Sequence, residues 1–244
     1  MRAAQANMRP APIRRFYKSV EARKTEGGIY ALFLDGRPAR TPGRNRLAAR
    51  SLPLMQRVAE EWERQRETIE PRDMQLTRLL NAAIDGVART IVETRAEILK
   101  YAGSDLLCYR SEEPEALAER QRAAFDPVLA WAAETLGARL NLSAGIMHVG
   151  QPLESIEAIR SAVEDFADPV ALAALSAMTT LSGSALLALA VARGRLSPEE
   201  AWRVAHIDED FEFERWGVDT EASARREARW REFEAAALAV RATG

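Results

Sequence analysis

From Val170 to Ala192 the chain runs for 23 residues without a charged side chain. A stretch that long can cross a bilayer as a single helix. It must therefore be either a membrane span or the interior of a folded domain. Its middle decides between the two. Ser176, Thr179, Thr180, Ser182, Gly183 and Ser184 fall where hydrocarbon would tolerate them least, and no aromatic belt flanks the segment. A helix that is apolar all round belongs inside a protein core. We read the segment as one buried helix, or two short ones broken near Gly183, and the chain as not membrane-embedded. With 244 residues, 47% of them hydrophobic, and a net charge of −2, there is enough material to wrap such a core, and disorder is excluded for most of the chain.

The flanking sequence falls into two parts. Residues 14–50 read as a small β region. Arg15 to Glu21 alternates with Phe16 and Val20 apolar, Gly27-Gly28 marks a turn, and Ile29 to Leu34 is an apolar strand. Asp35-Gly36 is a two-residue hairpin signal, with Arg37 to Arg40 as the returning strand and Asn45 to Ala49 as one more. From Leu52 the period turns helical. Leu54, Val58, Trp62 and Gln65 share a stripe, which places Trp62 in the core. Helical stretches follow over about 73–86 and 91–101. Ser111 can cap a helix entering at Pro114, and Pro127 should kink or break it near Asp126 before Gly137 ends it. Asn141 to Pro152 is a polar connector and Leu153 to Phe166 a helix. Asp168-Pro169 opens the buried segment. Ser197-Pro198-Glu199-Glu200 carries a capping box for a helix running to about Trp216-Gly217, and Glu221 to Arg241 is the last helix. The pattern specifies an α+β fold: an N-terminal α/β domain over residues 1–85 and a helical C-terminal domain over 86–244.

Several kinds of chemistry lack the residues they need. One cysteine, Cys108, forbids a disulfide framework. Cys108, His148 and His206 have no ligand spacing, so no metal site is expected. Cys108 between Leu107 and Tyr109 reads as a buried, inert thiol. There is no glycine-rich phosphate loop, no GxSxG elbow and no HExxH. The first 20 residues hold five basic side chains and no acid, without an apolar export core. A free thiol and no export signal lead us to expect a cytoplasmic setting. Charge is unevenly spread: residues 1–50 hold 12 Lys/Arg against 3 Asp/Glu, and the remaining 194 hold 22 against 33. Such asymmetry suits nucleic acid or two faces that meet different partners, but no RNA- or DNA-binding motif accompanies it.

The densest charge is Asp208-Glu209-Asp210-Phe211-Glu212-Phe213-Glu214. Successive helical residues point about 100° apart, so adjacent acids do not converge on one ion. On a helical wheel Val204, Ile207 and Phe211 form a core stripe, and Glu209 points almost directly away from it, with Ala205, Glu212, Phe213 and Trp216 on its side. Two readings stand. One is a helix covered on both sides or simply solvated. The other is a recognition face, in which aromatic anchors supply contact area and acids meet a partner's Arg or Lys.

Four stretches carry a family resemblance. They are Arg15-Phe16-Tyr17 with Leu34-Asp35-Gly36-Arg37-Pro38 and Thr41-Pro42; Ala59-Glu60-Glu61-Trp62 with Gln65 and Ile69; Cys108-Tyr109-Arg110, Glu112-Glu113-Pro114-Glu115, Gln121, Asp126-Pro127 and Trp131-Ala132; and Asp208-Glu209-Asp210-Phe211 ending at Trp216-Gly217. Together, over about residues 14–220, they resemble the ATP synthase assembly chaperones that protect the α subunit of the soluble catalytic head. The resemblance implies a non-enzymatic chaperone, without cofactor or nucleotide, that binds the unassembled α subunit until the β subunit replaces it. With no RNA- or DNA-binding motif present, no nucleic-acid partner is expected. Many members are mitochondrial, and the expectation here is a bacterial cytoplasmic relative that is a monomer. The partner-binding residues expected are Asp208, Glu209, Asp210, Glu212, Phe213 and Trp216, with Glu209 the acid carried over as functionally needed. Where members often have Gln, this chain has Glu212. The alternatives weighed are a carboxylate-dependent hydrolase or lyase using residues 208–214, and a nucleic-acid or ribosome-associated protein using the basic N-terminal part.

Overall fold

The computed structural model describes residues 13–243 except Ile146 and Val218. It is an α+β fold, a small β-rich N-terminal part followed by helices. Its central strand is β3 (Tyr30–Leu34), numbered after β1 (Ile13–Arg14) and β2 (Val20–Lys24). β2 pairs with β3 antiparallel, Val20 opposite Leu34 and Lys24 opposite Tyr30. The other edge of β3 carries both β4 (Arg37–Pro38) and β5 (Ala48–Ala49). Asp35 and Gly36 make the hairpin turn with φ of 48° and 76°, as a two-residue loop matching strand twist requires. The Asp35 carboxylate also accepts from the amides of Lys18 (2.9 Å) and Ser19 (2.8 Å).

The strand expected over Arg15–Glu21 is displaced. β1 pairs instead with β6 (Thr68–Ile69), and the chain bends between β1 and β2. The bend turns Tyr17 inward and leaves Phe16 67% exposed, the reverse of the alternation expected. The Tyr17 hydroxyl donates to the Trp62 carbonyl at 2.7 Å, with the rings 5.5 Å apart. α1 (Leu52–Glu63) is capped by Ser51, whose Oγ accepts from Leu54, and it packs on β2 and β3. Trp62 is half-buried against the core and donates through Nε1 to Thr77 Oγ1 at 3.0 Å. α2 (Gln75–Asp85) and α3 (Ile91–Gly103) follow.

Of the two forms expected for the uncharged segment, the structure shows the pair of helices. α6 (Pro169–Ser182) and α7 (Ala185–Ala192) are separated at Gly183, whose φ is +71°. Neither is long and apolar enough to cross a membrane. Asp168 caps α6, its Oδ1 accepting from Val170 at 2.8 Å. Around this buried pair lie α2, α3, α4 (Glu115–Trp131), α8 (Pro198–Ala205) and α10 (Thr220–Thr243), which runs along α6 and reaches α2, while α5 (Leu153–Glu164) packs on α3. One buried apolar cluster extends from Tyr17 and Leu32 through Leu172 and Leu187 to Phe233 and Val240. β7 (Tyr109–Arg110) pairs in parallel with β8 (Ser143–Ala144), which lies within the connector 141–152.

Three local expectations are corrected. Pro127 does not break its helix: α4 is continuous through it and ends in a π-turn at Ala132–Leu136, before Gly137 at φ +78°. Pro127 faces solvent, where water can serve the carbonyl its missing N–H leaves unpaired. Ser111 does not cap α4. Its Oγ donates to the Glu113 carbonyl, and Pro114 is the N-terminal flank. The helix from Ser197 to Trp216 is two helices, α8 and α9 (Ile207–Trp216), divided at His206. The imidazole Nδ1 takes the Trp202 carbonyl at 2.8 Å, the acceptor that a continuous helix would give to the His206 amide, and that amide turns to Arg203 instead. The core stripe changes with it. Ala201, Trp202, His206 and Phe211 are buried, while Val204 and Ile207 are half-buried.

Candidate functional site

The acidic segment forms α9, and its neighbours hold it in place from two sides. From α4, the buried Gln121 donates to Asp208 Oδ1 at 2.7 Å while its own Oε1 accepts from the Ser111 amide at 2.7 Å. Nearly two turns along α9, Arg120 grips Glu214 with both guanidinium nitrogens, at 2.9 and 2.7 Å, which holds the Glu214 carboxyl below the usual range. Phe211, the buried side chain of α9, lies beneath the Arg120 guanidinium at 5.1 Å and that of Arg215 at 4.9 Å. From α10, Arg226 pairs with Asp210 and stands 5.8 Å from the Phe213 ring. Phe213 is half-buried and, with Trp202 and Trp230, walls a shallow hollow of about 560 Å³ between α8, α9 and α10.

So Asp208, Asp210 and Glu214 are engaged within the molecule, although all three sit in what reads as an uninterrupted acidic run. Glu209 and Glu212 differ. Both are exposed, and neither side chain makes an ion pair or hydrogen bond among the described residues. Trp216 is 84% exposed. Residues 209, 212 and 216 lie at i, i+3 and i+7, so they share one face, turned away from Phe211. The result is a rigid outward stripe of two unpaired acids and one large aromatic. Such a face can bind a surface that is apolar at its centre and basic around it. The signals that could have separated paired from unpaired acids lie on α4 and α10: Arg120, Gln121 and Arg226 are remote in sequence.

The other titratable groups do structural work. Two carboxyls are raised, both by burial. Glu61, 4% exposed, accepts from the amides of Leu76 (2.7 Å) and Thr77 (2.9 Å) and from the Thr77 hydroxyl (2.8 Å), capping α2 from a distant helix. Asp105, fully buried, is pushed up to about 6, although Ser184, Leu107 and Leu186 donate to it and pull the other way. It does for α7 what Glu61 does for α2. Cys108 is buried and pushed up to about 12, first by desolvation and then by Asp105 beside it, which keeps the thiol protonated. Burial lowers His206, so its imidazole is neutral at pH 7. Among the described residues no cluster of His, Cys, Asp or Glu could hold a metal ion. The acids of α9 lie along an exposed helix and do not converge on a cavity, which is the arrangement a carboxylate hydrolase or lyase would need.

Comparison with known proteins places this geometry among relatives. The family model described as ATP12 chaperone protein matches residues 14–133. A crystal structure of Atp12 from Paracoccus denitrificans superposes with a TM-score of 0.88 at 40% identity, covering 95% of this chain and 99% of that one. A crystal structure of a protein from Agrobacterium tumefaciens gives 0.91 at 45% identity, covering 95% and 86%. Among curated proteins, the mitochondrial protein atp12 of Schizosaccharomyces pombe is 26% identical over 222 residues, 85% of this chain and 75% of that protein.

Proposed function

The chain belongs to the ATP12 chaperone family, and from that premise we propose that it serves ATP synthase assembly by binding the unassembled α subunit and holding it for the β subunit. The action needs no nucleotide hydrolysis and no cofactor. The observation that carries the reading is the outward stripe of α9: Glu209 and Glu212 are unpaired and Trp216 is 84% exposed, on a helix braced by Arg120, Gln121 and Arg226. An oligomer subunit caught before assembly exposes an apolar surface prone to aggregate. A rigid face with one aromatic anchor and two acids can cover such a surface where it is basic, and can let it go, because the contact is small and charge-dominated. Asp208, Asp210 and Phe213 border this stripe and complete the proposed contact. We place the chain in the bacterial cytoplasm, acting as a monomer.

The test is co-purification. The tagged chain, expressed with the α and β subunits separately, should retain free α and not free β, and should lose α when β is added in excess. Retention of β alone, or of neither subunit, overturns the assignment of partner.

A further inference from the structure

The basic excess of the N-terminal part is concentrated in one hairpin that α9 does not explain. Between residues 36 and 50 stand Arg37, Arg40, Arg44, Arg46 and Arg50 and no acid. All five are exposed, and none makes an ion pair among the described residues. Arg40 and Arg46 face each other across an antiparallel bridge, an arrangement in which like charges repel. Arg44 occupies the left-handed region at φ 65°, which strains any side chain other than Gly, Asn or Asp. The Arg40 guanidinium donates to the Arg44 carbonyl at 2.8 Å, so it lies over the turn.

The turn itself is held rigidly. Asp85, at the end of α2, accepts from Thr41 Oγ1 (2.7 Å), Asn45 Nδ2 (2.8 Å) and the Gly43 amide (2.7 Å). Those three bonds engage both oxygens of the Asp85 carboxylate. A Cβ on Gly43 would lie 2.6 Å from the carboxylate, so the approach needs glycine. Clustered, mutually repelling arginines on a pinned loop form a cationic site whose repulsion an anion would relieve.

We propose that the Arg40–Arg44–Arg46 hairpin tip is a second docking site, for a carboxylate-rich polypeptide segment. Arg40 and Arg46 stand opposite each other across the antiparallel bridge, and guanidinium forks match carboxylates bidentately. Nucleic acid is disfavoured: the segment offers no exposed aromatic for stacking, and Phe33 nearby is covered by Arg23 at 4.6 Å. A lipid surface is disfavoured because the large exposed apolar side chains, among them Ile13, Phe16 and Trp216, lie outside residues 36–50, so nothing there would insert.

The test is fluorescence anisotropy of a labelled peptide of alternating Glu and Gly, titrated with the full chain at about 0.01 M and about 0.15 M salt, where the screening length falls from about 30 to about 8 Å. Saturable binding that weakens with salt is expected. The variant Arg40→Gln/Arg44→Gly/Arg46→Thr should bind at least about tenfold more weakly, with an unchanged or higher Tm, since it removes the repulsion and the strain. The set Arg66→Gln/Arg139→Gln/Arg203→Gln removes the same charge elsewhere and should bind like the parent. No saturable binding at low salt, equal loss in both sets, or tighter binding of a DNA duplex or phosphatidylserine vesicles than of the peptide would each overturn the proposal.

Discussion

Replacing Glu61 by Ala should cost this protein a large part of its stability. Its carboxylate accepts from two backbone amides and one hydroxyl, all buried, at the first turn of α2. Leu76 and Thr77 would each keep a buried N–H without a partner, at about 1–3 kcal/mol apiece. The lost negative charge at a helix N-terminus adds about 0.3–1 kcal/mol. Water entering the space recovers some of this, so we expect a loss of about 3–4 kcal/mol. For a chain of this size about 1 kcal/mol moves Tm by about 2–4 °C, which puts the drop near 10 °C. Glu61→Gln keeps one acceptor but turns an N–H₂ toward a donor, so its loss should be roughly half as large. Circular dichroism melts of the three proteins make the comparison. A Tm for Glu61→Ala within about 3 °C of the parent, with an equally sharp transition, would refute the capping role.

Asp105 gives a pH signature. Its folded-state value is about 6 against an ordinary 3.8, so its contribution is fully present below about 3.8 and is lost as pH rises through about 6. Relative to Asp105→Asn, the parent should lose about 2 kcal/mol between pH 4 and pH 7 in urea melts, and parallel curves would contradict this. Trp62→Arg puts a charge where a half-buried indole meets Tyr17 and Thr77, so the soluble yield should collapse; a soluble variant with the parent's Tm would place Trp62 in an interface instead. Gly43→Ala forces the Asp85 carboxylate away and should lower Tm by a few degrees while loosening the hairpin, seen as faster amide exchange over residues 41–45.

What was legible in the sequence was local. The Asp35-Gly36 turn, the Asp168 cap, the Ser197 capping box and the break at Gly183 each depend on groups a few residues apart, and each stands where it reads. What the sequence did not show has causes beyond that range or chemistry that hides the pattern. His206 divides a helix because its imidazole competes for a carbonyl one turn back, which periodicity does not register. Glu61 continues the Leu54–Val58 stripe at i+7, so its inward position was written in the spacing and masked by its charge. In the acidic run, composition marked the segment, but the division into braced and unpaired acids depends on Arg120, Gln121 and Arg226 from other helices. The N-terminal turn at Tyr17 reflects the tertiary pull of Trp62, some 45 residues on.

The affinity of purified α subunit for this chain with Glu209 reversed to Lys tests α9 as the binding face most directly. Glu209 is exposed and has no ion pair or hydrogen bond among the described residues, so the variant should melt with the parent. A like-charge contact in the interface costs several kcal/mol, so binding measured by titration calorimetry should weaken by about a hundredfold or more. A folded Glu209→Lys protein that binds α subunit as tightly as the parent would contradict the assignment of α9 as the binding face.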